Sequence, residues 1–407
     1  MSSAISAREA ARRMGVKVET LYAYVSRGLV ESQPSGDGKS RIFDARAIDA
    51  LARRGRPRQS SRSTSLNMLI ETRITALSPL GVRYRGLASS ELARSHTFEQ
   101  VAELLWLDRL GEGHRPWAGE HLPTAAEAQP VLLGNAIRVI VANAMANAPA
   151  SIGTSAEEVA AAGRHLIATV VDSLPVAGDG RTPRLTLPTS GLAGGPALRS
   201  TIAGRLWTRL TPRRPPPGML AVVNAAMVLL ADHELAASTL GVRVAASTRA
   251  NPYAVVCTGL GVLSGSLHGG ATRLARNLLD DALDVGAARA VSNATRDGGR
   301  IPGYGHAVYT VADPRAVVLL DLLGHAVGGG RVMAVVNDLN AEVARRIDRD
   351  PNVDLAIAAM TRAGGMAPDA GEAVMAIARM AGWLAHALEE YGETPLRFRP
   401  RASYVGP

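Results

Sequence analysis

The sequence is poor in cysteine and in aromatic residues. Its 407 residues include one cysteine, Cys257, and only 4% are Phe, Trp or Tyr. A single cysteine excludes an intramolecular disulfide and a zinc site built from several thiolates. The sequence also lacks a signal-like start and an uncharged run of membrane-spanning length, because the apolar stretch 222–231 is too short. We therefore expect a cytoplasmic protein.

Apolar residues with small side chains are plentiful instead. Hydrophobic residues make up 47% of the chain, and the mean hydropathy of +0.06 is typical of a globular protein. The chain is too long for one ordinary domain. Ala, Leu and Val abound, and FEQVAELLWLDRL (98–110) has apolar residues at helical spacing. These features favour a mainly α fold whose helices pack through small residues.

Positive charge is concentrated at the start of the chain. Residues 1–62 contain 13 Lys or Arg and 6 Asp or Glu, a net charge of +7, whereas the whole chain carries +9. The rest of the chain is therefore nearly neutral. A basic head of this kind indicates an anionic partner.

The head itself, residues 1–53, has the pattern of a small DNA-binding domain. Ser6 and Glu9 predict a capping box for a first helix, Gly15 breaks that helix, and residues 18–25 predict a second one. The order of these elements is typical of a helix-turn-helix motif.

A wing and a third helix are expected next. SGDG (35–38) predicts a hairpin turn between two short extended runs, and Asp44 predicts the cap of a third helix. With YAYVSRGL and with Arg41 before Phe43, this arrangement resembles the MerR or excisionase type of winged helix-turn-helix. Residues 54–66, rich in Ser and Arg, predict a linker.

The resemblance implies that the second helix lies in the major groove of duplex DNA and that the wing meets phosphates. The alternative is a small helical adaptor whose basic residues are merely solvated. The candidate DNA contacts are Lys17, Thr20, Tyr22, Tyr24, Arg27 and Arg41.

A Gly- and Pro-rich loop in residues 300–315, RIPGYGHAVYTVADPR, ends in His306. Glycine permits dihedrals that other residues avoid and proline removes a donor, so this run is neither regular helix nor strand. Alone it predicts a connector with a chance histidine. Three further stretches change this interpretation: His268 in SGSLHGGA, Asp354 in PNVDLAI and His233 in ADHELAAST.

Together these stretches resemble the citrate synthase family, in which an HGG histidine, a GYGH histidine with DPR behind it and an NVD aspartate occur in this order. ETRIT (71–75), ARMAGWLAHALEE (378–390) and RPRASYVG (399–406) extend the resemblance over residues 67–407. The resemblance implies the citrate synthase fold, an all-helical architecture with a large and a small domain, the small one near 255–360.

The reaction that the resemblance implies joins acetyl-CoA or propionyl-CoA to oxaloacetate and yields citrate or 2-methylcitrate and CoA. An α-proton of a thioester is weakly acidic, so its removal needs a buried base beside a donor for the developing oxyanion. By family position Asp354 is the base, His268 is the donor to the thioester, and His306 is the donor to the keto carbonyl.

Carboxylate binding is implied for three arginines and one further histidine. An arginine fork pairs with a carboxylate through two hydrogen bonds, which suits a substrate with two carboxylates. The family also implies a homodimer in which the tail of one chain completes the site of the other, and no metal or cofactor besides the CoA substrate. The residues are Arg315, Arg379, Arg399 and His233. We assign no role to His325 or His386.

Two departures from the family and one alternative function remain. Thr310 stands where the family often has a basic residue for the CoA phosphate, and LAIAAM replaces the usual continuation after NVD. The alternative is a DNA-binding transcription regulator whose body senses acyl-CoA or oxaloacetate. A sensor has no need of a carboxylate at Asp354 beside both histidines, so the sequence favours the enzyme.

Overall fold

The computed structural model divides the chain into two compact units, Met1–Glu71 and Thr72–Pro407. The expected linker, 54–66, lies outside the residues that the structure describes. The described residues are 4–14, 16, 18–26, 30, 32–34, 41–45, 48, 69–78, 81–111, 116–122, 132–149, 152–178, 196–296, 300–306, 308–309, 312–326, 330–347, 349–400, 404 and 406.

The first unit combines short helices with an antiparallel sheet of three strands in the order β1-β3-β2. Strand β1 pairs with β3 so that Ile5 lies opposite Phe43. Leu21 and Phe43 are buried in a small core of their own. The elements are β1 (Ala4–Ser6), α1 (Ala7–Met14), α2 (Val18–Ser26), β2 (Gln33–Pro34) and β3 (Arg41–Asp44).

The first unit departs from the sequence prediction at its start. Strand β1 was not predicted, because Ser6 was read only as a helix cap. Glu9 N donates to Ser6 Oγ at 3.3 Å, which is half of the predicted capping box. The Glu9 carboxylate pairs instead with Arg12 and Arg13 on the next turn. The favourable i,i+3 and i,i+4 ion pairs therefore replace the second half of the box.

The candidate DNA contacts are only partly described. Tyr22 and Arg41 are exposed and Thr20 is half-buried. Lys17, Arg27 and the side chain of Tyr24 lie outside the described residues, as does most of the expected third helix.

Where it is described, the second unit is helical apart from one antiparallel sheet. The strands of this sheet are β4 (Thr75–Ser78), β5 (Gly81–Tyr84) and β6 (Leu87–Ala88), in that order. Its described helices are α3 (Ser89–Ser95), α4 (Phe98–Leu107), α5 (Leu133–Asn147), α6 (Ala156–Ser173), a 3₁₀ turn (Pro196–Arg199), α7 (Ile202–Leu210), α8 (Met219–Leu230), α9 (Ala237–Ser247), α10 (Pro252–Leu263), α11 (Ala271–Val285), α12 (Ala287–Thr295), α13 (Pro314–His325), α14 (Gly330–Ile347), α15 (Val353–Ala363) and α16 (Ala370–Tyr391).

Local sequence signals fix several of these helices. The predicted helix in FEQVAELLW is confirmed as α4, which begins with a capping box of Thr97 and Gln100. The same device, Ser155 with Glu158, begins α6. Each box satisfies backbone N–H groups that the first turn of a helix leaves without partners.

The core is organised around α16, a helix of 22 residues that is buried over most of its length. Small residues let its neighbours approach closely, as expected from the composition. A Cβ on Gly259 of α10 would lie 2.6 Å from the ring of Trp383, so only glycine fits there. Helix α8, which is apolar except for Asn224, is likewise buried in the protein, and no described helix is long and apolar enough to cross a membrane.

Candidate active site

The loop that carries His306 is pinned against the start of α15. Gly303 and Gly305 adopt positive φ angles of 83° and 76°, which glycine reaches at little cost. Gly305 N donates to Asp350 O, and Asn352 N donates to Gly303 O, both at 2.9 Å. Asn352 Nδ2 also donates to Gly305 O at 2.9 Å. These bonds bring His306 next to the helix that carries Asp354.

Asp354 lies in the first turn of α15 but does not cap it. The cap is Asn352, whose Oδ1 accepts a hydrogen bond from Asp354 N at 2.9 Å. The Asp354 carboxyl is therefore not used as the helix cap. Burial raises its pKa to about 6, with Arg315 opposing the shift and Asp313 adding to it. A carboxylate of this kind holds a proton more strongly than an exposed one, as a general base should.

Asp313 holds Arg315 in a fixed orientation. Arg315 donates to both carboxylate oxygens, at 3.0 Å from Nε and 2.8 Å from Nη2. Asp313 also caps α13 through Arg315 N and accepts from Val353 N, each at 3.0 Å. Both side chains are buried. Asp313 was missed as a site residue, although an aspartate before Pro-Arg at a helix start was the available signal.

His306 and Arg315 present two donors to the same point. His306 Nδ1 accepts from Val308 N at 3.0 Å, so the ring proton of the neutral imidazole is on Nε2. That Nε2 lies 3.3 Å from Nη2 of Arg315, which can only donate. Burial and Arg315 lower the pKa of His306, against the opposing charge of Asp313. Arg315 Nη2 gives one of its two N–H groups to Asp313 Oδ2. Its second N–H and the Nε2–H of His306 together favour an incoming oxygen.

His233 and Tyr309 complete this side of the cluster. His233 Nε2 lies 2.9 Å from Tyr309 Oη, and its ring centroid is 5.4 Å from that of His306. Burial, Arg315 and Arg379 lower the pKa of His233 strongly, so its ring is neutral. Burial raises the pKa of Tyr309 to about 12. Tyr309 was missed, although it stands in the quoted GYGHAVY motif.

His268 lies in the turn after α10, where His268 N donates to Gly265 O at 2.9 Å. Its Nε2 is 2.9 Å from Ser238 Oγ, which is also 3.3 Å from the indole donor of Trp383. When the Ser238 hydroxyl hydrogen points at His268 Nε2, the ring proton is on Nδ1, which can then donate to a ligand. Burial and Arg379 lower the pKa of His268 to about 4, so it is a neutral donor.

Arg379, on α16, is 3% exposed, and two of its nitrogens find no hydrogen-bond partner among the described residues. Those atoms are Nε and Nη1. Burial lowers the pKa of Arg379, while the charge of Asp232 opposes the shift. A buried cation with unused donors is costly unless an anion fills the space before it.

Arg399 is not joined to this cluster. It is exposed, and it makes no hydrogen bond or ion pair with a residue that the structure describes. Thr310 lies outside the described residues. The contacts and charges described above link the other predicted residues, which are His233, His268, His306, Arg315, Asp354 and Arg379.

This arrangement can bind an anion and remove a proton. Neutral histidines supply donors, arginines supply charge, and one carboxylate of raised pKa supplies a base. Within the described parts of the chain, no group of three His, Cys, Asp or Glu side chains could hold a metal ion.

Known proteins match both the sequence and the fold. Citrate synthase of Synechocystis sp. is 36% identical over 204 residues, which are 48% of this chain and 51% of that protein. The chain spans about half the length of the curated relatives it matches.

Solved structures match over more of the chain. Citrate synthase of Thermotoga maritima MSB8 superposes with a TM-score of 0.65 at 24% identity, over 85% of this chain and 96% of that one. A ternary complex of carboxymethyl coenzyme A and oxaloacetate with citrate synthase of Thermoplasma acidophilum superposes with a TM-score of 0.62 at 22% identity, over 84% and 94%. At these identities the likeness is one of fold.

A family model described as citrate synthase, C-terminal domain, matches residues 66–401. The match covers most of the chain and every residue of the cluster around Arg315. The chain belongs to the citrate synthase family.

Proposed function

We propose that the helical unit condenses an acyl-CoA with oxaloacetate, giving citrate from acetyl-CoA or 2-methylcitrate from propionyl-CoA. The observation that carries this proposal is the pair of buried Arg379 nitrogens without a partner among the described residues, together with the adjacent donors of His306 and Arg315 and the Asp354 carboxylate. A dianionic 2-oxo acid supplies the acceptors that these donors lack.

The first step is proton removal from the acyl group. Asp354 takes the α-proton, and Nδ1–H of His268 donates to the thioester oxygen as negative charge develops there. His268 acts as a neutral donor, because its pKa of about 4 excludes the imidazolium form near neutral pH. The product is an enol of the thioester with a nucleophilic α-carbon.

The second step forms the carbon–carbon bond. The enol carbon attacks the keto carbonyl of oxaloacetate, while Nε2–H of His306 donates to the carbonyl oxygen as it becomes an alkoxide. Arg315 and Arg379 hold the carboxylates, and His233 adds a further contact. Water then attacks the thioester carbonyl of the new acyl-CoA, and CoA leaves as the thiol.

A relative of the same fold supports this choice of substrates. The Thermoplasma acidophilum protein has been solved with carboxymethyl coenzyme A and oxaloacetate together. Carboxymethyl coenzyme A carries a carboxymethyl group on the sulfur where acetyl-CoA carries its acetyl group, so it is similar in size and position to an acyl-CoA.

The test is release of free thiol by the full chain. We expect thiol to appear only when an acyl-CoA and oxaloacetate are both present, and parallel reactions with acetyl-CoA and propionyl-CoA identify the preferred acyl group. Omission of oxaloacetate controls for simple thioester hydrolysis. Absence of oxaloacetate-dependent thiol release with either acyl-CoA contradicts the proposal.

For the head we propose binding of duplex DNA. We also propose that the protein is cytoplasmic and that it forms a homodimer. The net charge of +7 over residues 1–62 and the exposed side chains of Tyr22 and Arg41 support this proposal. Binding of the full chain to genomic fragments should weaken steeply as salt rises, because phosphate contacts release counterions. The Arg41→Gln variant should bind more weakly and Arg94→Gln, in the helical unit, should not. No salt-sensitive shift at low ionic strength contradicts DNA binding.

The alternative function, a transcription regulator that senses acyl-CoA or oxaloacetate, makes a different prediction. Oxaloacetate would then change DNA affinity while thiol release stays absent. The pair of assays therefore separates the two functions.

A further inference from the structure

A second buried cluster surrounds Arg243 on α9, and none of its members has been given a part in the chemistry. Arg243 is fully buried. It donates to Glu390 Oε2 at 3.1 Å and also to Glu389. The same guanidinium lies against Nδ1 of His386, at 3.0 Å from Nε and 2.9 Å from Nη2. His386, to which sequence analysis gave no role, is therefore part of a fully buried network.

The arginine fixes the tautomer of His386. A guanidinium can only donate, so Nδ1 of His386 must accept and its ring proton must be on Nε2. That Nε2–H points at Oδ2 of Asp232, at 3.3 Å. Both side chains are fully buried. The chain Arg243–His386–Asp232 is consequently directional, and each member orients the next.

Asp232 in turn fixes the turn that presents His233. Oδ2 of Asp232 accepts from Glu234 N at 3.0 Å, across His233. Glu234 has a φ of 53°, in the left-handed region that non-glycine residues seldom adopt. A conformation of that kind persists only where its surroundings hold it. Asp232 therefore sets the position of His233, whose Nε2 meets Tyr309.

The same carboxylate acts on Arg379. A Cβ on Gly382 would lie 2.3 Å from Oδ1 of Asp232, so glycine is what lets α16 pass beside this carboxylate. Burial raises the pKa of Asp232. The contact with His386 and the charge of Arg379 outweigh burial, so that the pKa of Asp232 is lowered. Burial lowers the pKa of Arg379, and the charge of Asp232 opposes that shift.

We propose that His386 is a positioning residue for the oxaloacetate subsite, acting through Asp232 on His233 and Arg379. The inference rests on the function proposed above and goes beyond it, since His386 touches neither substrate nor reacting atom. Loss of its Nε2–H releases Oδ2 of Asp232 and with it the turn at His233.

The test compares two substitutions that each keep half of the imidazole. His386→Gln retains a donor near the position of Nε2, and His386→Asn retains only an acceptor near the position of Nδ1. We expect His386→Asn to raise the KM for oxaloacetate about ten- to a hundredfold, the usual cost of a lost hydrogen bond to a charged group. The KM for acyl-CoA should change by less than about threefold, and His386→Gln should restore most of the lost affinity.

A matched control is His325→Asn on α13, whose side chain is 81% exposed. It should leave both KM values unchanged. A His386→Asn protein that melts cooperatively and keeps the wild-type KM for oxaloacetate overturns the inference. The inference is also overturned if the Asn and Gln variants show the same fall in kcat and the same rise in KM for oxaloacetate and for acyl-CoA. That result indicates a purely structural role.

A measurement on the wild-type chain covers the case in which His386→Asn does not fold. Nitrogen-15 NMR of histidine-labelled protein should show the neutral ring of His386 with its proton on Nε2. A neutral ring with its proton on Nδ1 overturns the inference. If wild-type protein binds no oxaloacetate in calorimetry, the proposed function fails, whereas unchanged binding by His386→Asn sinks only the role of His386.

Discussion

Two buried arginines of the helical unit, Arg243 and Arg379, differ in whether their hydrogen-bond donors have partners within the protein. Arg243 is fully buried, and its donors meet Glu389, Glu390 and His386. Arg379 is 3% exposed, yet its Nε and Nη1 find no partner among the described residues. Buried donors are nearly always satisfied. The contrast teaches that Arg243 serves the fold, whereas Arg379 is arranged for an acceptor that a ligand supplies.

The histidines repeat this contrast. His386 uses both ring nitrogens within the protein. His306 uses Nδ1 within the protein, and among the described residues its Nε2 meets a donor, Nη2 of Arg315. A fully engaged imidazole holds structure, and a half-engaged one can donate to a substrate. The predictions below test whether side chains with fully paired polar atoms stabilise the fold and those with unpaired donors act on the substrate.

The largest effect is expected for the base. Asp354→Asn should lower kcat roughly 10²–10⁴-fold, because an amide cannot accept the α-proton. The thermal midpoint at pH 7 should stay the same or rise. The folded pKa of Asp354 is raised, so its ionised form opposes folding above its unfolded pKa, and the amide removes that cost. Thiol release and melting curves measure the two results, and near-normal turnover would refute the assignment.

Arg243→Met should destabilise the helical unit by about 1–3 kcal/mol, because it removes the buried donor of Glu389, Glu390 and His386, while Arg397 still pairs with Glu390. Urea unfolding gives the free energy. The control is Arg94→Met, which breaks a half-exposed ion pair with Asp321 and should cost at most about 1 kcal/mol. A loss as small as the control would mean that the satisfied cluster does not hold the fold.

The same substitution at Arg379 should behave in the opposite way. Arg379→Met should leave the free energy of unfolding unchanged or higher, because it removes a buried cation of which two nitrogens, Nε and Nη1, have no partner among the described residues. Affinity for oxaloacetate should fall about ten- to a hundredfold with the loss of charge-assisted hydrogen bonds. Calorimetry and urea unfolding test both halves. Strong destabilisation by this variant would erase the contrast with Arg243.

The pH profile sharpens the comparison further. Since Asp354 must be deprotonated to act, kcat/KM should fall about tenfold per pH unit below pH 6, the region of its raised pKa. His268, with a pKa of about 4, stays neutral over the same range and adds no limb. Stopped assays from pH 5 to 8 give the profile. Residual activity of Asp354→Asn should lack this acidic limb, and a limb that persists there belongs to another group.

The smallest effect concerns Arg399, which stands apart from the cluster in a single chain. If the tail completes the site of a partner chain, Arg399→Ala and His306→Ala should rescue each other when refolded together. Random pairing makes half of the dimers mixed, and each mixed dimer has one intact site of two, so about a quarter of wild-type activity should return. Activity that stays at the level of the separate variants, despite confirmed exchange, would show that Arg399 serves no partner site.

Short-range chemistry made much of the helical unit predictable. Apolar spacing in FEQVAELLW, with Thr97 and Gln100 as its cap, is enough to predict α4, because a helix start depends on residues a few positions apart. Asp313 before Pro314 begins α13 for the same reason. Short motifs around His268, His306 and Asp354 identified the candidate site, since each motif consists of neighbouring residues that can be recognised in the sequence.

Features that join distant parts of the chain could not be predicted in this way. Strand β1 depends on pairing with β3, whose partner residues lie about 38 positions away in the chain. His386 was given no role, because its partners Asp232 and Arg243 lie more than 140 positions away.

The sequence by itself determined which side chains are available and where the helices that carry them begin. Only the tertiary structure decided their states, because pKa values and tautomers depend on burial and on neighbours brought from elsewhere in the chain. Burial made Asp354 a base with a pKa of about 6 and His268 a neutral donor. Packing also decided that Arg243 is fully paired while Arg379 is left with unused donors.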